Sequence, residues 1–243
     1  MEDAFELSSF LPLSYKGPTE EKYIRFLWDA FESNYTNEKF QFAFLAYHML
    51  TMSFVYFNVW QIRRADLRDF QRALIGFSKE TEHELLKAQS PFEFSVVGES
   101  AILRLLKLIE CDNSKIGTYA KLVKDRNEAA HSNGNIRFDS QEQLDAQIVE
   151  TMRIVAEIQD HSRLVIERCY REFLIQSQDP DDREYTDPTD QIREVLIHEN
   201  YLSQKDVDIC LAVDVESLAD QAEIENLRGL HAALAAAYGA EVM

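Results

Sequence analysis

The sequence predicts an all-α fold, a helical bundle followed by a small acidic helical region. Only 7 Gly and 5 Pro punctuate the 243 residues, where average usage would place about 17 and about 12, so turn-rich β architectures are disfavoured. Apolar residues recur every three or four positions along most of the chain, and no stretch alternates at period two over a strand's length. Hydrophobic residues make up 46% and aromatic residues 11%, enough for a sizeable core and too much for a disordered chain.

Residues 1–18 contain Pro12, Gly17 and Pro18 and read as an irregular arm, with Phe5, Phe10 and Leu11 packed against the body. Thr19 is placed as an N-cap, with Glu20 and Glu21 suited to the positive end of a helix that runs to about Asn34. Asn37 is placed as the cap of the next helix. From Phe40 to Ile62 that helix has 23 residues without Asp, Glu, Lys or Arg, enough to cross a bilayer of about 30 Å. It also carries Gln41, His48, Thr51, Ser53, Asn58 and Gln61. A lipid-facing helix would have to hide all six, so a core helix buried by its neighbours, with His48 hydrogen-bonded inside it, is expected.

From Arg63 to Lys87 the pattern becomes amphipathic, and the helix continues or restarts. Ser90-Pro91 opens a further helix to about Cys111, and Ser114 another that stops near Asn133-Gly134. After an extended link with Ile136 and Phe138, Ser140 caps a long helix whose apolar positions include Leu144, Ile148, Met152, Val155, Ile158, Leu164, Val165 and Leu174. The polar stretch 179–189, broken by Pro180 and Pro188, reads as a linker. Three short helical patterns follow, at 190–201, 204–212 and 215–239. The expected organisation is thus a bundle over residues 1–178 and an acidic helical extension over 179–243.

The formal net charge is −18, which taken alone argues against a polyanionic partner. The charge is unevenly spread. Residues 179–243 hold 16 acids and 4 bases, leaving 27 acids and 21 bases in residues 1–178, so a basic groove in the first part is compatible with the sequence. Cys111, Cys169 and Cys210 form no CxxC pair, and neither a disulfide framework nor a zinc site is expected. Met1-Glu2-Asp3 begins without a basic, apolar leader, so the expected location is cytoplasmic.

The chemistry-bearing segment is Leu122 to Ile136, LVKDRNEAAHSNGNI. Arg126, Asn127 and His131 lie at the end of a predicted helix. At about 100° per residue, Asn127 and His131 fall about 40° apart on one face, and Arg126 and His131 about 140° apart. A guanidinium stays charged and offers phosphate oxygens a fork of donors. Imidazole exchanges a proton near neutrality. Together they suit cleavage of RNA through its own 2′-hydroxyl.

Arg126-Asn127-(three residues)-His131, late in an all-helical bundle behind a long apolar helix, resembles the Rx4–6H signature of HEPN-domain ribonucleases. The resemblance covers the motif and the helical order of roughly residues 19–178. It implies a HEPN-like helical bundle and a metal-independent RNA endonuclease of the toxin–antitoxin or anti-phage kind, without a cofactor. It also implies that the motifs of two protomers face each other across a homodimer cleft. Arg126 would then stabilise the phosphorane, His131 act as general base or acid, and Asn127 orient the imidazole or the phosphate. Members paired with a nucleotidyltransferase antitoxin often carry Tyr two residues after the His, where this chain has Asn133.

Lys121 and Lys124, with Arg64, Arg68 and Arg72 stacked along one helix face, are the expected RNA-binding residues, although Asp66 and Asp69 offset the arginines. The acidic C-terminal region is expected either to compete for that groove or to dock a regulatory or antitoxin protein. No membrane partner is expected. Two Glu-x-x-His pairs, Glu80 with His83 and Glu128 with His131, offer a di-iron alternative, but the first sits in the charged run KETEHE. The alternative of another class is a non-catalytic helical interaction module.

Overall fold

The computed structural model describes residues 2–131, 134–218 and 223–239. Its regular structure is helical: α1 (Glu2–Phe5), α2 (Pro18–Thr36), α3 (Phe40–Ala65), α4 (Leu67–Ala73), α5 (Lys79–Lys87), α6 (Glu99–Leu105), α7 (Asn113–Ala130), α8 (Gln141–Gln176), α9 (Pro188–Gln191), α10 (Gln204–Leu211) and α11 (Ile224–Tyr238). Short 3-10 turns join some of them, and α9 continues into a π-helical turn, Ile192–His198. Among the described residues, extended pairing is limited to isolated bridges. The all-α bundle expected from the sequence is what forms.

Several boundaries differ, each for a local reason. The N-terminal arm is helical in its first part and irregular only from Leu11 to Gly17: α1 and the turn Glu6–Phe10, with the residue after it, bury Ala4, Leu7, Phe10 and Leu11, while Phe5 stacks on Trp28. Helix α2 starts at Pro18, with Gly17 as N-cap and Glu20 accepting its backbone N–H, because proline suits the first helical position. Asn37 closes α2 instead of opening α3; its side-chain amide donates to the Ser33 carbonyl. The 63–87 stretch is interrupted at Asp66, whose carboxylate caps α4 through the Asp69 N–H, and again at Gly76, which takes φ +104°. Ser90-Pro91 opens only a 3-10 turn, Pro91–Val96, and Gly98 begins α6. Asp112, two residues ahead of the expected start at Ser114, accepts from the Lys115 N–H and starts α7 at Asn113. Helix α7 ends at Ala130 with His131 as C-cap, ahead of the expected stop near Asn133-Gly134, of which Asn133 lies outside the described residues.

Helix α3 is the axis. Within it, 83% of the most apolar window is buried inside the protein, and all six polar side chains that disfavoured a lipid-facing role find partners. Thr51, Ser53 and Asn58 bond back to carbonyls four residues earlier. Gln61 donates to Tyr201 O and Asp206, and His48 meets Glu99. Gln41 donates to Ala129 O (3.0 Å) and accepts from the Arg137 N–H (2.7 Å), so it ties the end of α7 to the chain at Arg137. Unpaired, each such group would cost about 1–3 kcal/mol.

Helix α8, 36 residues and about 54 Å long, serves two cores. Its first part, through Ile158, packs with α2, α3, α6 and α7 in the larger core. Its second part supplies Ile166, Tyr170, Phe173 and Leu174 to a smaller core with α10, α11 and the turn Ile192–His198. The smaller core therefore begins before the 179–189 stretch. The cores are tied by buried Asp206, which accepts from Gln61 of α3 (3.0 Å) and Gln159 of α8 (2.7 Å). The chain near Pro12 adds a bridge to Ser203, with the Leu13 N–H bonded to Leu202 O.

Candidate functional site

The inner face of α7 is set by Tyr119, Leu122, Val123 and Ala129, all buried. Position 126 falls on the same stripe. The Arg126 side chain consequently turns inward, where Nη2 donates to Glu99 Oε2 at 2.7 Å. The same oxygen lies 3.2 Å from Nε2 of His48. The three side chains are 32%, 19% and 2% exposed for Arg126, Glu99 and His48, so a bridging carboxylate on the first turn of α6 joins α3 to α7. Arg126 Nε is buried and has no partner among the described residues, while Glu99 engages the guanidinium through Nη2.

Burial pushes the Glu99 carboxyl upward, but the hydrogen bonds and charges of His48 and Arg126 outweigh it and hold the net value below the ordinary one. A depressed folded-state pKa stabilises the protein above the unfolded value and ceases to do so as pH falls through the folded value. Glu99→Gln is expected to lower unfolding free energy by about 1–3 kcal/mol at neutral pH. The deficit should shrink toward zero as acid protonates wild-type Glu99, a comparison that urea unfolding across pH measures directly.

His131 is the C-cap of α7. Its N–H still donates to Asn127 O at 3.1 Å, so its position follows the helix and its exposed side chain lies away from the Arg126 stripe. Asn127 is half-buried on the His131 side. A single subunit thus brings Arg126 together with Glu99 and His48, and does not place His131 on the guanidinium's face. Glu99 was not singled out from the sequence. His48 is the hydrogen-bonded core residue that its place in an apolar helix predicts, with a partner, Glu99, that the sequence does not name.

The expected stacking of Arg64, Arg68 and Arg72 is corrected, because α3 ends before Asp66 and α4 starts anew. Arg64 donates to Asn200 (3.0 Å) and Glu199 (3.3 Å), and Lys16 also pairs with Glu199. Arg72 pairs with Asp69 of its own helix, and Arg68 is exposed. On α7, Lys121 is exposed and Lys124 lies 3.8 Å from Glu128. Arg63 has a structural role, donating to the carbonyls of Leu86 and Ala88.

Among the described residues, no group of three His, Cys, Asp or Glu side chains is placed to hold a metal ion. Glu80 and His83 are exposed on α5, and Glu128 is engaged by Arg137. No family model, curated protein or solved structure matches the chain.

Proposed function

We propose that this chain is a metal-independent endoribonuclease of HEPN type, acting in the cytoplasm as a homodimer in toxin–antitoxin or anti-phage defence. The observation that carries the reading is the Arg126-Asn127-(three residues)-His131 sequence closing a helix of an all-helical fold, with the guanidinium half-buried on Glu99 and the imidazole exposed at the helix end. Because the two groups occupy different faces of one α7, a shared cleft between two copies is the arrangement in which the imidazole of one meets the guanidinium of the other.

In that cleft the RNA supplies its own nucleophile. An imidazole of His131 takes the proton of the 2′-hydroxyl, and the 2′-oxygen bonds to phosphorus. Arg126 offsets the charge on the phosphorane through the donors Glu99 leaves unused. The 5′-oxygen then departs with a proton from the other subunit's imidazole. Asn127 orients the imidazole or a phosphate oxygen. The exposed Lys121 and Arg68 attract the RNA backbone, while Lys124, Arg64 and Arg72 are paired with carboxylates. The acidic C-terminal region meets the basic surface where Glu199 engages Arg64 and Lys16. This supports a restraining role for that region, or a docking role for a regulatory protein.

The test is the chemistry of the ends. Incubated with total RNA in EDTA, the protein should leave a 2′,3′-cyclic phosphate on one fragment and a 5′-hydroxyl on the other. A 5′-phosphate or a requirement for divalent metal would contradict the reading. One observation favours the second reading, a non-catalytic helical interaction module: Arg126 is already ion-paired inside its own subunit. Absence of cleavage by the dimer, with candidate partners supplied, would select that module.

A further inference from the structure

A cleft of about 400 Å³ opens between α2, α3, the Pro91–Val96 turn and the start of α6. Its walls are aromatic. The ring of Phe92 stands nearly perpendicular to Tyr23, with centroids 5.2 Å apart at 83°, and to Tyr56, at 6.4 Å and 76°. Both contacts are edge-to-face rather than stacked, and Met49 and Met52 add two polarisable thioethers to the lining.

Two carboxylates also line the cleft, Glu20 and Glu99, and their electrostatic situations differ. Glu99 is balanced by Arg126. Glu20 meets only neutral donors: Ser90 Oγ at 2.5 Å, Tyr201 Oη at 3.0 Å and the Gly17 N–H at 3.4 Å. Among the described residues no cation lies within ion-pair distance of it. Its charge is felt nearby, since the Tyr201 phenol is pushed upward first by burial and then by Glu20. The walls therefore carry one carboxylate without an ion-pair partner beside three aromatic rings.

From this geometry we infer that the cleft binds a small alkylammonium compound, its methylated nitrogen beside Tyr23, Tyr56 and Phe92 and its charge opposite Glu20. The chemistry discriminates. An anion would meet two carboxylates, and a neutral ligand would leave the Glu20 charge unanswered. A strongly hydrated primary ammonium would lose water contacts that ring faces do not replace, whereas a methylated cation is weakly hydrated and is attracted by the negative faces of the rings. The volume lies within the range of small-molecule sites. The inference is independent of RNA cleavage.

Choline is the probe, titrated into the full-length protein with isotope-labelled methionine methyl groups. Met49 and Met52 should show saturable shifts. The neutral isostere, with a tert-butyl group in place of trimethylammonium, should bind at least about tenfold more weakly. Glu20→Gln, which retains an acceptor for Tyr201 and Gly17, should weaken choline by about tenfold and leave the isostere unchanged. The wild-type comparison stands even if that variant does not fold. Equal binding of choline and isostere, or no saturable shift at either methionine, would overturn the proposal. A trimethyllysine peptide binding more tightly than choline would overturn its assignment to a free small molecule.

Discussion

His131→Ala is expected to reduce RNA cleavage by about 10²–10⁴-fold, the contribution typical of a general acid or base, with little change in stability. The side chain is exposed at the C-cap of α7, and its helix-closing bond to Asn127 uses the backbone N–H, which alanine keeps. Substitutions at such positions usually stay within about 0.5 kcal/mol. Arg126→Ala should abolish cleavage as well, but not cleanly, because it strips Glu99 of its guanidinium beside buried His48. Arg126→Lys is the sharper control. It keeps the positive charge near Glu99 and loses the planar fork that holds a phosphate, so activity should fall while the urea midpoint moves less than in Arg126→Ala. Cleavage in EDTA, read with dimerisation and helicity for each variant, decides the matter. Wild-type rates in both His131→Ala and Arg126→Lys would end the nuclease reading.

The motif was legible because it is local: Arg126, Asn127 and His131 lie within one helix end, and helix arithmetic alone separates their faces. The groups that hold Arg126 were not. Glu99 precedes it by 27 residues and lies 51 residues after His48. Nothing in either neighbourhood distinguishes this glutamate from the many others. The available signal was indirect, since a histidine in an apolar helix needs a partner, and sequence alone does not name it. Capping residues misled for a different reason. Asn37 can close one helix as readily as open the next, and Asp66 looks like a surface acid until its carboxylate is seen capping α4. The folded N-terminal arm did leave a trace, Ala4, Leu7 and Phe10 at helical spacing, obscured by the prolines that follow. The polar residues of α3 were the most informative, because six groups on an otherwise apolar helix require a protein interior able to satisfy them.

Asp206→Ala should cost about 1–3 kcal/mol for each buried donor that it leaves without an acceptor. The Asp206 carboxylate is 3% exposed and accepts from Gln61, Gln159 and the Ser203 N–H. Alanine leaves those donors buried without an acceptor where the two cores meet. Both tryptophans pack in the larger core, so their fluorescence should report that core alone, while circular dichroism reports both. In Asp206→Ala the two signals should separate along a urea titration; coincident transitions at the wild-type midpoint would refute the coupling role. Asp206→Asn should behave otherwise. Burial pushes the Asp206 carboxyl above its ordinary value, and its hydrogen bonds only partly oppose this. The folded state therefore binds the proton more tightly than the unfolded chain, and this group's contribution to stability grows as pH falls from the raised folded value toward about 4. The asparagine carries no charge to desolvate and keeps one oxygen for Gln61 and Ser203. Its amide can donate to Gln159 Oε1, which has no partner in the wild type, if that side chain turns over. The variant should match or exceed wild-type stability at neutral pH and lose that advantage in acid, opposite in sign to the deficit expected for Glu99→Gln.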